Sequence, residues 1–234
     1  MTKTEERRTE ATSGFGRWIY EHALFLVLIG VFVLCFAGMA ASGFQVYNEE
    51  QLQHGSTPIP FGDYLMTGQF LEATFENWES EFLQMGAYVV LTVFLFQKGS
   101  SESKPIGEHT AQDDDPRSAP VRPNTPWPVR RGGVWLMLYE NSLAIFFFVL
   151  FALSFWFHAV GGAEVYSAEQ VQHGLPAVGV LEYIGTAQFW FESMQNWQSE
   201  FLAVAAIVGA SVYLRQRGSP ESKPVATPHH ETGA

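Results

Sequence analysis

Residues 23–47 read ALFLVLIGVFVLCFAGMAASGFQVY and contain no aspartate, glutamate, lysine or arginine. Residues 141–163 form a second run that lacks these four residue types. A helix needs about 20 consecutive apolar residues to cross the roughly 30 Å of hydrocarbon in a bilayer. Both runs exceed that length, so we expect transmembrane helices over residues 20–43 and 138–162.

Two shorter apolar runs, residues 82–97 and 201–214, are marginal as spans on their own. They become long enough if each helix begins in the polar segment that precedes it, which predicts spans over residues 78–97 and 196–216. The sequence therefore predicts an all-α integral membrane protein with four transmembrane helices.

The second half of the chain repeats the first half without a gap. Residues 47–105 align with residues 166–224 at a constant offset, 166 − 47 = 119, and 27 of the 59 aligned positions are identical. Self-similarity of this kind indicates a duplicated structural unit. We expect two parallel-repeat helical hairpins, related by a pseudo-twofold axis along the membrane normal, each with an amphipathic helix in its outer loop.

The linker at 99–131 and the last residues of the chain are rich in proline and polar or acidic residues, a composition that cannot bury a hydrophobic core, and the first 17 residues are polar. We expect these segments to be disordered. The predicted organisation is a disordered tail at 1–17, a first repeat at 18–98, a disordered linker at 99–131, a second repeat at 132–217 and a disordered tail at 218–234.

The placement of cations predicts the orientation in the membrane. None of the 13 lysines and arginines lies in residues 44–80 or 163–200, the two predicted outer loops. Lysine and arginine accumulate on the cytoplasmic side of membrane proteins. We therefore expect a multi-pass protein of the inner (plasma) membrane with both termini and the linker in the cytoplasm.

A polar segment with the pattern Asn-Trp-x-Ser-Glu precedes both shorter apolar runs. One interpretation is structural: the helix bends at the asparagine, and the polar side chains cap the new helix. The other interpretation is a ligand or ion site at an outer vestibule, because carboxylates this close to hydrocarbon need partners or water. The candidate residues are Asn77, Ser80, Glu81, Asn196, Ser199 and Glu200.

Each outer loop begins with a short helical signal, at Asn48 in the first copy and Ser167 in the second. A glutamate and a histidine four residues apart follow in each copy and share a helix face. Imidazole and carboxylate ligands suit zinc, iron or manganese. The structural alternative is a histidine that bonds the last carbonyls of its helix, and we favour it over a metal site. The residues in question are Glu50, His54, Glu169 and His173.

The sequence contains no nucleophile elbow, phosphate loop or zinc-binding motif, so we predict no catalytic residue, no cofactor and no enzyme activity. A basic stripe for nucleic acid is also lacking. The function we expect is a structural or interaction role in the membrane. The first alternative is a passive channel or small-solute binder at the Asn/Ser/Glu clusters, and the second is a metal-dependent enzyme at the Glu/His pairs.

The expected partners are the lipid bilayer, a second copy of the chain in a homo-oligomer, and a cytoplasmic partner for the two Glu-Ser-Lys-Pro segments. One segment, residues 102–105, begins the linker, and the other, residues 221–224, lies in the C-terminal tail. Small residues at four-residue spacing in the last predicted span favour close helix packing, which suits an oligomer.

Several longer motifs resemble an uncharacterised bacterial family of multi-pass membrane proteins with an internal duplication, a domain of unknown function. The motifs that carry this resemblance are YNEEQLQHG, FENWESEFLQMGAYV, PWPVRRGG, FWFESMQNWQSEFLAV and LRQRGSPESKPV. The resemblance covers nearly the whole chain. It implies a duplicated membrane protein and brings no activity, cofactor or site residue with it.

The predicted orientation can be tested by labelling single cysteines in a variant that lacks Cys35. We expect a membrane-impermeant thiol reagent to label Gln53→Cys and Gln172→Cys from outside intact cells, because both positions lie in predicted outer loops. Labelling of either position only after the cytoplasm is opened would contradict the orientation.

Overall fold

The computed structural model describes residues 14–233 and is entirely helical in its regular structure. The described residues contain no β-strand. In chain order the helices are α1 Phe15–Glu21, α2 Ala23–Gln53, α3 Phe61–Tyr64, α4 Gly68–Phe94, α5 Trp127–Arg131, α6 Gly133–Glu140, α7 Ser142–Gln172, α8 Val180–Ile184 and α9 Ala187–Tyr213. A short 3₁₀ turn covers Ala111–Asp113 in the linker.

The chain divides into two compact units, residues 1–70 and residues 71–234. The first unit contains α1, α2, α3 and the first residues of α4. The second unit contains the remainder of α4 and the helices from α5 to α9.

Helices α2 and α7 are long and apolar enough to cross a membrane. Each has 31 residues, and within its most apolar window only 6 % of the residues in α2 and 17 % in α7 are buried inside the protein. Both helices extend about ten residues beyond the predicted spans, through the segments predicted as separate short helices. The all-α class predicted from sequence is confirmed.

The structure does not support the four predicted spans, because only α2 and α7 meet the length and composition that a span requires. The other two predicted spans lie in the second halves of α4 and α9. The polar and acidic residues in the first halves of these helices lower their average apolar character.

The helices recur at the spacing found in the sequence. Helices α2 and α7 begin 119 residues apart, 142 − 23, and α4 and α9 also begin 119 residues apart, 187 − 68. Their lengths match as well, at 31 residues for the first pair and 27 for the second. The duplication remains a prediction from the sequence, with which these bounds agree.

Each unit has a small aromatic core built at corresponding positions. The cores consist of Ala40, Tyr64 and Phe70 in the first unit and of Ala159, Tyr183 and Phe189 in the second. In both, the hydroxyl end of the tyrosine side chain lies against a long helix at a glycine, where a larger residue would collide with it. A Cβ atom at Gly43 would lie 2.2 Å from the Tyr64 hydroxyl, and one at Gly162 would lie 2.5 Å from the Tyr183 ring.

One side chain of each long helix binds the backbone of the loop that follows that helix. Asn48 accepts a hydrogen bond from the backbone N–H of Ile59 at 2.8 Å and donates one to its carbonyl at 3.1 Å. Ser167 makes the same pair of bonds with Val178, at 3.0 and 2.9 Å. The prediction that Asn48 and Ser167 begin new helices is therefore wrong, because α2 and α7 run through both positions.

Helix α4 runs without interruption through Asn77, and α9 does so through Asn196. The predicted role of each asparagine as the cap of a new helix is wrong for this reason, whereas the predicted bend stays a prediction. Inside a continuous helix the side chain of Asn77 instead donates to the carbonyl of Ala73, four residues earlier, at 2.8 Å.

The linker and C-terminal tail make specific hydrogen bonds in the second unit. The backbone N–H of Gly99 donates to Thr232 at 2.9 Å, and the hydroxyls of Ser100 and Ser211 lie 2.7 Å apart. The buried ammonium of Lys223 donates to three carbonyls of the tail, at 2.8 to 3.2 Å. The disorder expected for residues 99–131 and 218–234 stays a prediction, and most of the tail at 1–17 lies outside the described residues.

The packing of Tyr183 predicts that Gly162→Ala destabilises the protein by about 1–3 kcal/mol, because the added methyl group displaces the ring. Thermal unfolding of the purified protein in detergent measures this change. Gly209→Ala is the matched control, since a Cβ there meets nothing within 4 Å and alanine is favoured in a helix. Equal unfolding temperatures for the two variants would argue against the described packing.

Candidate metal centre

A cluster of acidic side chains and one histidine lies among α4, α7 and α9. Glu72, Glu76 and Glu79 are spaced by four and three residues, so they share one face of α4. Helix α7 contributes His158 to the cluster, and α9 contributes Glu192.

Aromatic contacts hold the three helices together around the cluster. The rings of Phe75 on α4 and Phe157 on α7 stack with centroids 4.8 Å apart. Phe155 on α7 meets Phe189 on α9 edge to face at 5.1 Å. The His158 ring stacks on Phe189 at 4.8 Å, which holds the imidazole plane against α9. The ring orientation at the cluster therefore follows from packing as well as from hydrogen bonds.

His158 and Glu79 form a buried pair. Nδ1 of His158 lies 2.8 Å from Oε2 of Glu79, and both side chains are fully buried. The second carboxylate oxygen of Glu79 accepts a hydrogen bond from the Trp197 indole at 2.9 Å. Both oxygens of Glu79 are thus engaged, so this carboxylate serves to fix the imidazole.

The other nitrogen of the imidazole faces a second carboxylate, and a third carboxylate lies nearby. Nε2 of His158 lies 3.4 Å from Oε2 of Glu192. One ligand atom from each of Glu72, His158 and Glu192 lies within 4.8 Å of the other two. Three potential ligand atoms from three different helices therefore lie close enough together to share one metal ion.

Several side chains donate hydrogen bonds to the carboxylates of the cluster. The Tyr183 hydroxyl makes a short hydrogen bond to Glu192 and lies 3.5 Å from Oε1 of Glu72. Gln188 donates to the other oxygen of Glu192 at 2.6 Å. The amide of Asn196 donates to Glu76. Tyr183 belongs to the aromatic core of this unit and packs against Gly162. The core therefore also fixes the position of the Tyr183 hydroxyl at the cluster.

Burial and neighbouring charge change the acidity of these groups. Burial raises the pKa of Glu72 to about 7, and the charge of Glu192 adds to the shift. Burial also raises the pKa of Glu76 and of the Tyr183 hydroxyl. Burial disfavours the charged form of Glu192 as well, but the hydrogen bonds from His158 and Tyr183 outweigh it and lower the pKa of Glu192.

The hydrogen-bond geometry constrains the proton on the imidazole. An ionised carboxylate only accepts hydrogen bonds, and both nitrogens of His158 face carboxylates. With Glu79 and Glu192 ionised, the ring must donate from both nitrogens and carry a positive charge. A cation at Nε2 would replace the second proton and leave Nδ1–H donating to Glu79.

This arrangement has the composition of a metal-binding site. A histidine ligand that donates its other ring nitrogen to a carboxylate is the usual support of a metal centre, because it fixes the tautomer and the ring orientation. One imidazole and two carboxylates suit zinc, iron or manganese and leave coordination positions open. Glu72, His158 and Glu192 could be the ligands, with Glu79 as the positioning residue.

The Glu/His pairs singled out in the sequence take no part in this cluster. Nδ1 of His54 lies 2.8 Å from the backbone carbonyl of Glu50, which is the bond expected of a histidine at a helix end. His173 and Glu169 lie on the exposed end of α7. Among the described residues, the metal-compatible group of three consists of other side chains. The assignment of a metal to the pairs remains untested.

The asparagines and serines of the Asn-Trp-x-Ser-Glu segments bond mainly within their own helices. Ser80 donates to the carbonyl of Asn77, and Ser199 to that of Asn196, both at 2.8 Å within their own helices. Asn196 alone among the six reaches the cluster, through its hydrogen bond to Glu76. Glu81 is exposed and Glu200 is partly buried.

The residues that sequence reasoning missed are those at which the two copies differ. At the offset of 119, the counterparts of Glu72, Glu76 and Glu79 are Phe191, Gln195 and Gln198, and those of His158 and Glu192 are Met39 and Ala73. A search for what the copies share passes over every one of these positions. The available signal was His158 itself, an ionisable side chain inside a run that is otherwise free of charge.

Similarity to known proteins extends over nearly the whole chain but supplies no activity. No curated protein and no solved structure matches it. Bacterial origin and the internal duplication stay predictions from the sequence. The chain belongs to the family described as a domain of unknown function, DUF6766, whose model matches residues 15–234.

Proposed function

We propose that this protein is an integral membrane protein that binds one divalent transition-metal ion through Glu72, His158 and Glu192. The observation that carries the proposal is the buried Glu79–His158 pair, in which the second imidazole nitrogen faces Glu192 and a carboxylate oxygen of Glu72 lies nearby. The proposal departs from the sequence-based expectation of a structural role without a cofactor.

The exposed apolar helices support the membrane part of the proposal. Only 6 % of the residues in the most apolar window of α2 and 17 % in that of α7 are buried, so nearly all of this surface faces outward. A water-soluble protein rarely leaves a continuous apolar surface of that extent uncovered. Contact with the hydrocarbon chains of lipids is favourable for such an apolar surface.

We further propose that both termini and the linker lie in the cytoplasm of a bacterial cell and that the second halves of α4 and α9 return the chain across the inner membrane. The absence of lysine and arginine from residues 44–80 and 163–200 supports this orientation. Polar side chains that face a site between helices explain why these two helices are less apolar than α2 and α7. The matching helix bounds support an origin by duplication.

A structural role in the membrane, as the sequence suggested, is the second candidate. The hydrogen bonds from His158, Tyr183 and Trp197 to the glutamates add polar links to the aromatic contacts among α4, α7 and α9. Such a network holds helices together and specifies their register without any bound ion. The two candidates differ in one measurable property, the binding of metal.

Metal analysis of the purified protein separates the two candidates. We expect about one equivalent of zinc, iron or manganese per chain after incubation with the ion and removal of the excess. His158→Ala and Glu192→Gln should lose the ion, and Glu79→Gln should weaken binding about 10- to 100-fold because the ring loses its support. His173→Ala is the control that removes an exposed histidine from the same helix. Stoichiometric metal in none of the preparations would refute the metal-binding proposal and leave the structural role.

The protonation of the site predicts that metal affinity rises with pH. Glu72, with a pKa of about 7, and the imidazole must both lose a proton before they bind a metal. Calorimetric titration with zinc should therefore show affinity falling by about tenfold or more from about pH 8 to about pH 6, with protons released on binding.

Glu72→Gln provides the matched control for this pH dependence. The variant has no proton to lose at that position, so its affinity should be lower and should change less across the same range. An affinity that is independent of pH in the unmodified protein would argue against coordination by these groups.

A further inference from the structure

We propose that the segment Trp127–Trp135 is a binding site for the headgroup of an anionic phospholipid. The inference goes beyond the metal centre and rests on the membrane part of the proposed function. The segment comprises α5, two glycines and the first residues of α6.

Two adjacent glycines give the segment its shape. Gly132 and Gly133 have φ angles of +68° and +59°, in the left-handed region that side chains disfavour. They reverse the chain between α5 and α6 and bring the rings of Trp127 and Trp135 to a centroid distance of 5.4 Å. The result is a depression of about 730 Å³ lined by both tryptophans and by Arg130 and Arg131.

The depression is cationic in a chain whose formal net charge is −11. Within residues 14–233, neither Arg130 nor Arg131 lies in ion-pair distance of a carboxylate, whereas Arg117 pairs with Asp115 and Glu140. Arg131 instead lies over the Trp127 ring, 5.9 Å from its centroid. Two guanidinium groups that line the same depression and have no carboxylate partner within this part of the chain offer a site for a phosphate group.

The surroundings favour a lipid headgroup over a free phosphate ion. Both tryptophans are about half exposed, at 50 % and 51 %, as is usual for indoles at a membrane interface. Helix α6 follows directly and exposes Val134, Met137 and Leu138. A phosphate held by the arginines would place its acyl chains along this apolar helix, which leads into α7. The predicted cytoplasmic position is also where anionic lipids attract basic segments.

Native mass spectrometry of the detergent-purified protein tests the site, with phosphatidylglycerol and phosphatidylcholine as probes. The unmodified protein should retain phosphatidylglycerol in preference to phosphatidylcholine. Arg130→Gln/Arg131→Gln should lose that preference, with about tenfold or weaker binding of the anionic lipid. Arg117→Gln/Arg122→Gln has the same change in charge within the linker and should retain the preference.

Three results would overturn the proposal. They are equal retention of the two lipids by the unmodified protein, equal loss in both double variants, and complete displacement of the lipid by millimolar inorganic phosphate, which would make the depression a site for the free ion. A thermal unfolding measurement confirms that the variants are folded. Membrane fractionation and metal content of the same preparations test the proposed function separately, because the arginine substitutions leave the metal ligands intact.

Discussion

The buried pair of Glu79 and His158 is the contact on which the second unit depends. Both side chains are fully buried, and a buried ionisable group is unfavourable unless it is paired and hydrogen-bonded. Each neighbour of the pair meets part of that requirement. The Trp197 indole donates a hydrogen bond to the second carboxylate oxygen of Glu79. The Phe189 ring stacks on the imidazole, and Glu192 faces the second imidazole nitrogen. The helices α4, α7 and α9 are therefore held together by hydrogen bonds and aromatic contacts, which together specify the position and the orientation of the imidazole ring.

The same arrangement is asymmetric with respect to the two halves of the chain, which match each other in sequence at an offset of 119 residues. Corresponding positions in the two copies keep the alanine, tyrosine and phenylalanine of the aromatic core and the glycine under the tyrosine. The positions that carry carboxylates and imidazole around the site differ between the copies. Met39 and Ala73 stand where the second copy has His158 and Glu192. The aromatic core is thus common to both halves. The carboxylates and the imidazole of the site occur at positions where the two halves differ.

The sequence predicted the helical class and located the long helices, because charge-free runs and a constant offset are properties of the chain alone. It misjudged how far these helices extend. The asparagine and serine predicted to begin new helices instead bind loop backbone at Ile59 and Val178, which are eleven residues away. The site itself was beyond the reach of sequence reasoning. Glu79 and His158 are 79 residues apart, and only the packing of α4 against α7 shows that they meet.

X-ray absorption spectroscopy at the edge of the bound metal tests the central claim most directly, because it reports the ligands rather than the affinity. For the metal-loaded protein, the account predicts a first shell of nitrogen and oxygen atoms with the outer-shell scattering of one imidazole, and loss of that imidazole signal in His158→Ala. A first shell of water oxygens without imidazole, or an imidazole signal that persists in His158→Ala, would contradict it.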